Sequence, residues 1–271
     1  MAEFGLIHYN FRGTLEEFLD YASETGFQCT ELSIRDIWNE KEGQGFEAAK
    51  EQAKRVKDML TSRGLRASAV SAGNTFLLPD EKARQAQIDR LKQVCELARI
   101  AGTSMLRIDG GSPNPDIPND RAVYLDLIVS GLSQLTDFIE NEDFRLALDN
   151  HGLVTNDADF QIAIFEQIGS KNLGANVDTM NYRWAGHDLE TVRSFYEKIA
   201  PYAFHTHFKD GTGTRGNYVG LALGEGEIPL EYAVKCLKDA GYEGPWVVEY
   251  EGKTDSREGY RKGLEWLKAH V

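Results

Sequence analysis

The chain has 271 residues, 41% of them hydrophobic, and a net charge of −13 from 30 lysines and arginines against 43 aspartates and glutamates. A chain this acidic lacks the general positive surface that binds a nucleic-acid backbone. No uninterrupted apolar run approaches the ~18 residues of a membrane span, and no charged leader precedes an apolar stretch. We therefore expect a cytoplasmic protein that binds neither nucleic acid nor membrane.

The three cysteines, Cys29, Cys95 and Cys236, are widely spaced and form no CxxC pattern. An odd number of scattered cysteines is typical of core thiols in a reducing compartment, and not of a disulfide framework. This agrees with the cytoplasmic expectation.

Short apolar runs alternate with segments of helical periodicity along the whole chain. The predicted strands lie at 4–8, 29–34, 66–71, 104–108, 145–149, 173–178, 203–208 and 246–250. Helical patterns follow at roughly 14–25, 46–63, 80–101, 119–140, 157–168, 188–199, 229–240 and 255–270. A capping box formed by Thr14 and Glu17 opens the first predicted helix. Eight β-then-α units without a linker predict the α/β class and one domain over 1–271, a (β/α)8 TIM barrel, with an open doubly wound sheet as the alternative.

The longest connections follow strands, at 72–79, 109–118 and 209–228. Barrel enzymes build their sites from the loops after the strands, so this asymmetry favours an enzyme. The segment 211–226 holds six glycines, which suits a mobile lid or a cradle of backbone amides for an anion. It matches no nucleotide-binding fingerprint.

Predicted strands five to eight each close on an acidic residue or a histidine, namely Asp149, Asp178, His207 and Glu249. A strand buried on both faces should not end in a charge unless that charge is needed. Three carboxylates and an imidazole at one point would repel each other unless a divalent cation neutralised them. Such mixed ligands suit Mn²⁺, Mg²⁺, Co²⁺ or Zn²⁺.

Residues two apart on a strand share a face, which groups further polar side chains with these four. The groups are Asp149 with His151, His207 with His205 and Lys209, and Glu249 with Glu251. Each residue also has a simpler interpretation. A lone aspartate after a strand is often a helix cap, and His205 is expected to be a deep, hydrogen-bonded core histidine. The joint occurrence on four successive strands favours a metal site.

These motifs resemble the xylose-isomerase-like barrels grouped as sugar phosphate isomerases/epimerases and endonuclease-IV-type proteins. The resemblance spans nearly the whole chain and rests on Gly26-Phe27…Glu31, the segment 146–151, Val177-Asp178, HxHxKD at 205–210, LGEGE at 223–227 and VVEYE at 247–251. In such proteins a Glu, an Asp, a His and a Glu bind one divalent ion. The resemblance implies that Asp149, Asp178, His207 and Glu249 do so here, with Mn²⁺ as the leading candidate.

The chain departs from the family pattern at three positions. Asp149 is one methylene shorter than the usual Glu. Asn181 and Gly213 stand where the ketose 3-epimerases of the family carry a His and an Arg. A simple free-ketose 3-epimerase is therefore disfavoured, and Lys209-Asp210 matches the broader isomerase and dehydratase branch.

The leading functional hypothesis is a divalent-metal-dependent isomerase or epimerase acting on a small sugar or keto-sugar derivative through an enediolate-type proton transfer. Glu249 or Asp149 would remove the proton, and Lys209 is a further acid/base candidate. One alternative is a metal-dependent lyase or dehydratase acting on a keto-sugar, keto-glycoside or inositol-like ketone. A second is a non-catalytic metabolite-binding barrel.

Further residues are predicted to surround the substrate. The candidate contacts are His151, Asn181, Arg107, Glu251, Trp38 and Trp184, and the pocket wall also draws on Tyr9, Asn74 and Phe76. Arg107 and Arg183 would either bind a phosphate or carboxylate or form surface ion pairs. The sequence leaves open whether the substrate is phosphorylated, which metal is bound and whether the protein is a homo-oligomer.

Overall fold

Eight parallel strands close into a barrel in the computed structural model, which describes residues 2–271. The described residues form ten strands, of which β8 and β9 lie outside the barrel. In chain order the strands are β1 (Phe4–Ile7), β2 (Cys29–Ser33), β3 (Arg66–Ser71), β4 (Met105–Ile108), β5 (Arg145–Asp149), β6 (Leu173–Asp178), β7 (Ala203–Phe208), β8 (Asp210–Thr212), β9 (Val219–Leu221) and β10 (Trp246–Val248). The barrel runs from β1 through β7 in chain order, and β10 pairs with both β7 and β1 to close it. The predicted (β/α)8 barrel is confirmed.

Ten α-helices accompany the strands in the described part of the chain. They are α1 (Leu15–Thr25), α2 (Ile34–Ile37), α3 (Phe46–Ser62), α4 (Glu81–Ala101), α5 (Arg121–Asn141), α6 (Ala158–Ile168), α7 (Asn181–Ala185), α8 (Leu189–Ile199), α9 (Leu230–Asp239) and α10 (Ser256–His270). The eight longer helices correspond to the eight predicted ones, whereas α2 and α7 are short additions after β2 and β6. The predicted capping box of Thr14 and Glu17 opens α1, and Gly26 ends it at a φ of 93°.

The helix α5 is the one described helix that is long and apolar enough, by length and composition, to cross a membrane. Its buried residues include Tyr124, Ile128, Leu132, Leu135 and Ile139. These side chains belong to the core that lies between the helices and the barrel wall. Packing in this outer layer therefore accounts for the apolar face of α5.

Polar side chains are buried at the carboxyl ends of the strands. The register pairs Asp178 of β6 directly with His207 of β7, and Asp149 of β5 with Asn176 of β6. The strand β10 is two residues shorter than predicted, so Glu249 follows it, with its backbone N–H donating to the carbonyl of Phe208. The barrel thereby brings the ends of β5, β6, β7 and β10 to one mouth.

The glycine-rich segment after β7 forms a cradle of backbone amides, but the anion that it holds is internal. The strands β8 and β9 form an antiparallel hairpin within it. The buried carboxylate of Asp210 accepts backbone N–H groups from Gly211 (2.8 Å), Gly224 (2.9 Å), Gly226 (3.0 Å) and Ile228 (3.3 Å). A Cβ atom at Gly226 would lie 2.1 Å from Asp210 Oδ1, so a side chain does not fit there. These amides therefore hold a carboxylate of the protein itself.

Candidate metal centre

Three of the four predicted ligands converge at the mouth of the barrel. Asp178, His207 and Glu249 each offer a ligand atom, and these atoms lie within 4.8 Å of one another. His207 Nδ1 is 3.0 Å from Glu249 Oε2 and 4.0 Å from Asp178 Oδ2. All three side chains are buried. Two carboxylates and an imidazole in a dry site form a donor set suited to a divalent cation.

The orientation of His207 is set from β2, on the opposite side of the barrel interior. His207 Nε2 lies 2.6 Å from Glu31 Oε2. A proton on Nε2 donated to this carboxylate leaves the Nδ1 lone pair directed at Asp178 and Glu249. Burial alone would raise the pKa of Glu31, but the neighbouring histidines and Arg107 outweigh it and lower that pKa. Glu31 is thus a carboxylate that orients a candidate ligand.

Glu31 carried no assigned role in the sequence analysis, although it belongs to a motif quoted there. The available signal was an acidic residue inside the apolar run of the second strand. Its partner is distant in the chain, so the motif by itself could not reveal what the carboxylate binds.

The Asp178 carboxylate has one satisfied oxygen and one unsatisfied oxygen. Oδ1 accepts the backbone N–H groups of Met180 and Asn181, each at 2.9 Å. Oδ2 is buried and accepts no hydrogen bond, although Lys209 Nζ lies 2.9 Å away. Burial raises the pKa of Asp178 to about 7. The Lys209 ion pair is thus the one contact that offsets the burial of Oδ2, and these residues fit a bound cation at this point.

Lys209 is the internal counter-ion of the cluster. Its ammonium lies 3.1 Å from Glu249 Oε1 and 3.6 Å from Glu251 Oε2, in addition to the contact with Asp178. The Thr179 hydroxyl holds its backbone, accepting from the Lys209 N–H at 2.9 Å and donating to the Lys209 carbonyl at 2.6 Å. Burial would lower the pKa of Lys209, but the three carboxylates raise it well above its usual value. Lys209 is therefore an ammonium.

Glu249 is held in its charged form. Burial would raise the pKa of Glu249, but Lys209 and His207 outweigh burial and lower it. Since His207 Nδ1 and Glu249 Oε2 are only 3.0 Å apart, a proton or a bound cation must stand between them. In the metal-free protein His207 meets this need, because Glu31 and Glu249 overcome burial and raise its pKa.

Asp149 lies beside the three converging residues and not among them. Its Oδ1 accepts a hydrogen bond from Asn176 Nδ2 at 2.6 Å, and its Oδ2 lies 3.2 Å from Arg107 Nη1. Asn176 Nδ2 is also 3.2 Å from His207 Nδ1, so this amide stands between Asp149 and the histidine. Burial would raise the pKa of Asp149, but Arg107 outweighs it and lowers that pKa. Asn176 and Arg107 thus bind both carboxylate oxygens of Asp149, and this short side chain does not join Asp178, His207 and Glu249.

Arg107 forms ion pairs inside the barrel and not at the surface, while its predicted contact with a substrate anion stays a prediction. Its guanidinium is buried and donates to Asp109 Oδ1 (2.6 Å), Ser71 Oγ (2.8 Å) and Glu31 Oε1 (3.4 Å), besides Asp149. Burial would lower the pKa of Arg107, but these acids raise it. Each charged partner belongs to the protein, so Arg107 balances the carboxylates at the centre of the barrel.

His205 lies below the site, as a hydrogen-bonded core histidine. Its Nδ1 is 2.9 Å from Asn176 Oδ1 and its Nε2 is 3.2 Å from Ser68 Oγ. Burial lowers the pKa of His205 to about 3, so the ring is neutral. By holding Asn176, it supports the amide that separates Asp149 from His207.

The remaining polar candidates lie at the mouth at different depths. His151 is 56% exposed, with Nδ1 3.4 Å from Asp149 Oδ2. Glu251 is partly buried beside Lys209. Asn181 is buried at the start of α7, next to Asp178. Arg183 forms an ion pair with Glu227 at 2.7 Å, which is the simpler of its two predicted roles.

The predicted aromatic wall is only partly present. Trp38 is buried, and its indole N–H donates to the Gln44 carbonyl at 2.9 Å, so it packs under its own loop and does not face a ligand. Phe76 is also buried, against Gly131 of α5. Trp184 is partly buried, and Tyr9 is 64% exposed. The prediction was wrong for Trp38 and Phe76, because both side chains pack in the core.

Asn74 links the loops after β3 and β4 and lines a cavity beside the site. Its side chain donates to the Asp109 carbonyl at 2.8 Å and accepts the Asp109 N–H at 3.0 Å. The cavity has a volume of about 510 Å³, and its walls include Asn74, Thr75, Asp109, Ser112, Asn114 and His151. The wall combines hydroxyl, amide and carboxylate groups with the apolar side chains of Leu77, Leu78, Pro113 and Pro115.

Family comparison identifies the protein class. The family model described as the xylose isomerase-like TIM barrel matches residues 19–270. The chain belongs to this family. Among its relatives is the fructoselysine 3-epimerase of Escherichia coli O157:H7, which is 26% identical over 180 residues. That match spans 64% of this chain and 62% of the epimerase.

Solved structures show the same fold. The IOLI protein with a bound zinc atom gives a TM-score of 0.78 at 16% identity, with 100% of this chain and 98% of that chain covered. The probable 3-DHS dehydratase AsbF of Bacillus anthracis gives a TM-score of 0.75 at 16% identity, with 98% and 99% covered. The proteins similar to this chain thus include a sugar epimerase by sequence and a probable dehydratase by fold.

Proposed function

We propose that this protein is a divalent-metal-dependent isomerase or epimerase acting on a small sugar or keto-sugar derivative. The observation that carries the proposal is the convergence of Asp178, His207 and Glu249 at the mouth of the barrel, where the buried Asp178 Oδ2 has an ion pair with Lys209 but no hydrogen bond of good geometry. The epimerase relative supports the same reaction class. A binding protein without chemistry would have no need of a charged donor set buried at such cost.

The proposed ligands are Asp178, His207 and Glu249, with Asp149 as the weakest member of the set. Glu31 fixes the His207 ring so that Nδ1 can act as a donor atom. Mn²⁺ is the first candidate, followed by Mg²⁺, Co²⁺ and Zn²⁺. When bound, the ion polarises a carbonyl and makes the adjacent C–H more acidic.

The charge state of each side chain indicates whether it can accept a proton from the substrate or donate one to it. Glu249 and Asp149 are carboxylates, because their neighbouring cations lower both pKa values. Either one can accept a proton from carbon. Lys209 is an ammonium and can return a proton to the substrate from another side. A base and an acid on different strands suit a reaction that moves a proton between faces or carbons.

The substrate contacts come from the mouth of the barrel. The proposed contacts are His151, Asn181, Glu251 and Trp184, which follow β5, β6 and β10 in the chain. The cavity of about 510 Å³ beside His151 has room for the part of the substrate distant from the reacting carbons. Its amide and hydroxyl groups suit the hydroxyls of a polyol.

A screen for solvent exchange tests this proposal. Keto-sugars and inositol-like ketones are incubated with the Mn²⁺-loaded protein in D₂O, and deuterium uptake next to a carbonyl is followed. We expect uptake that EDTA abolishes and Mn²⁺ restores. The matched control is the exposed substitution Glu243→Gln, which should leave exchange unchanged. No uptake with any ketone, despite bound metal, would contradict the proposal.

A lyase or dehydratase is the second candidate, and Lys209 is the observation that favours it. An ammonium next to the proposed base can protonate a departing β-oxygen as readily as a carbon. The same screen separates the two reactions. Loss of water or release of an aglycone indicates the lyase, whereas an exchanged isomer of unchanged mass, apart from deuterium, indicates the isomerase.

A further inference from the structure

Two side-chain oxygens near the site have no hydrogen-bond partner. Over residues 2–271, four buried side-chain atoms are unpaired, namely Thr30 Oγ1, Gln87 Oε1, Asp178 Oδ2 and Tyr218 Oη. Thr30 belongs to strand β2 and Gln87 to the outer helix α4. Asp178 Oδ2 is explained by the proposed cation, and Tyr218 Oη has no such explanation. A buried unpaired hydroxyl is unfavourable, so its position calls for a missing partner.

The β8–β9 hairpin places Tyr218 over Lys209 and Glu251. A Cβ atom at Gly211 would lie 2.8 Å from Tyr218 Cε2, so the ring rests on the backbone two residues after Lys209. A Cβ atom at Gly220 would lie 2.6 Å from the backbone carbon of Glu251. Both close approaches require glycine. They fix the hairpin against the ends of β7 and β10.

The surroundings of the Tyr218 hydroxyl make it a hydrogen-bond donor. Burial is the main cause that raises its pKa, and Glu251 and Asp178 add to the effect while Lys209 opposes it. The phenol therefore keeps its proton. Glu251 also raises this pKa as a hydrogen-bond acceptor, although the two groups do not meet in good hydrogen-bond geometry. A substrate oxygen that enters the mouth of the barrel would therefore compete with Glu251 for this donor.

We propose that Tyr218 contacts the substrate, donating a hydrogen bond from Oη to a carbonyl or hydroxyl oxygen of the keto-sugar held above Lys209 and Glu251. The assignment rests on the proposed function, which supplies a substrate with oxygens on adjacent carbons. A neutral hydroxyl donor next to the Lys209 ammonium stabilises a substrate oxygen that gains negative charge when the adjacent C–H loses its proton. Tyr218 would thus stabilise the charge that the proton transfer creates.

The substitution Tyr218→Phe tests this proposal, with Tyr242→Phe as the matched control. Tyr242 donates its hydroxyl to the Pro245 carbonyl at 2.8 Å, ahead of β10 and therefore at the opposite end of the barrel. The probe is acetohydroxamate, a small chelator with two adjacent oxygens that resembles an enediolate. Its Kd is measured on Mn²⁺-loaded protein, together with the Mn²⁺ Kd and the Tm of each variant.

We expect Tyr218→Phe to bind acetohydroxamate roughly tenfold more weakly, the effect of one lost hydrogen bond. Its Mn²⁺ Kd should be unchanged, and its Tm should equal or exceed that of the parent, because the substitution removes an unpaired hydroxyl. Tyr242→Phe should instead lower the Tm and leave both Kd values unchanged. A merely structural tyrosine at position 218 would behave like Tyr242.

Two results would overturn the assignment alone. One is unchanged acetohydroxamate affinity in Tyr218→Phe, and the other is a Tm loss as large as that of Tyr242→Phe. If the parent binds no Mn²⁺ at all, the proposed function fails and the assignment fails with it. The Mn²⁺ titration of the parent therefore separates the two failures.

Discussion

Glu31 accepts a hydrogen bond from His207 across the interior of the barrel, with Oε2 2.6 Å from Nε2, although the two residues are 176 positions apart in the chain. This contact decides which imidazole nitrogen faces Asp178 and Glu249. Without it the ring could turn or carry its proton on the other nitrogen, and the donor atom would be lost. The geometry of the proposed metal site thus depends on a residue outside the ligand set.

Glu31→Gln should weaken Mn²⁺ binding by about 10–100-fold, because the amide no longer enforces the tautomer that presents Nδ1. Electron paramagnetic resonance of free Mn²⁺ measures the Kd directly. The exposed substitution Glu243→Gln is the control and should have no effect. An unchanged Kd in Glu31→Gln would show that the ring is held by other contacts.

Asp178→Asn and Asp149→Asn should differ in their effect on Mn²⁺ affinity. Asp178 has a buried oxygen free for a cation, whereas Asn176 and Arg107 already engage Asp149. We expect Asp178→Asn to lower the Mn²⁺ affinity by more than the ~10–100-fold that is typical when a residue only supports a ligand. Asp149→Asn should lower the affinity by less than Asp178→Asn does. Equal losses in the two variants, measured by Mn²⁺ titration, would make Asp149 a full ligand.

Glu249→Gln should remain folded, with a Tm close to that of the metal-free parent, since the barrel core does not depend on it. Turnover and solvent deuterium exchange should both fall by roughly 10²–10⁴-fold, the range for loss of a positioned general base. Lys253→Met, an exposed lysine change near the mouth, is the control for the parallel variant Lys209→Met. Near-normal turnover in Glu249→Gln, with exchange abolished in Lys209→Met, would instead identify Lys209 as the base.

Asp210→Ala should destabilise the protein by about 3 kcal/mol or more, because buried backbone amides of the hairpin segment would lose a charged acceptor. Thermal unfolding measures this loss, and limited proteolysis should show new cleavage within 211–226. The exposed ion-pair change Asp239→Asn is the control, with little expected effect. Resistance of this segment to proteases in Asp210→Ala would show that the hairpin is held without the carboxylate.

Asp157 should contribute stability that depends on pH. It caps α6 by accepting the Phe160 N–H at 2.9 Å and pairs with Arg121 at 3.0 Å. Burial would raise the pKa of Asp157, but Arg121 and the Phe160 amide lower it. A folded pKa below the unfolded value of ~3.9 stabilises the fold above that pH, and the contribution is lost as the pH falls through the folded pKa.

The substitution Asp157→Asn should therefore lower the Tm at pH 7, and the difference from the parent should shrink towards pH 3. The exposed neighbour Asp159→Asn is the control, because its ion pair with Lys198 lies at the surface. A Tm difference for Asp157→Asn that stays constant with pH would exclude the charge as its cause.

The sequence by itself determined the barrel fold and the strand at whose end each charged residue lies. Apolar runs and helical periods are local patterns, so the eight units and the positions of Asp178, His207 and Glu249 could be read directly. Alternation along a strand also predicts which side chains share a face. Both kinds of information depend on residues that are near one another in the chain.

Only the tertiary structure decided which atoms meet. The register of β5 against β6 sets Asp149 opposite Asn176, and closure of the barrel brings Glu31 to His207. Arg107 could be recognised as a counter-ion, and Tyr218 as an unpaired donor, only once their surroundings were known. Inter-strand register and loop packing join residues far apart in sequence, and the periodicity of a single segment carries no information about its distant partner.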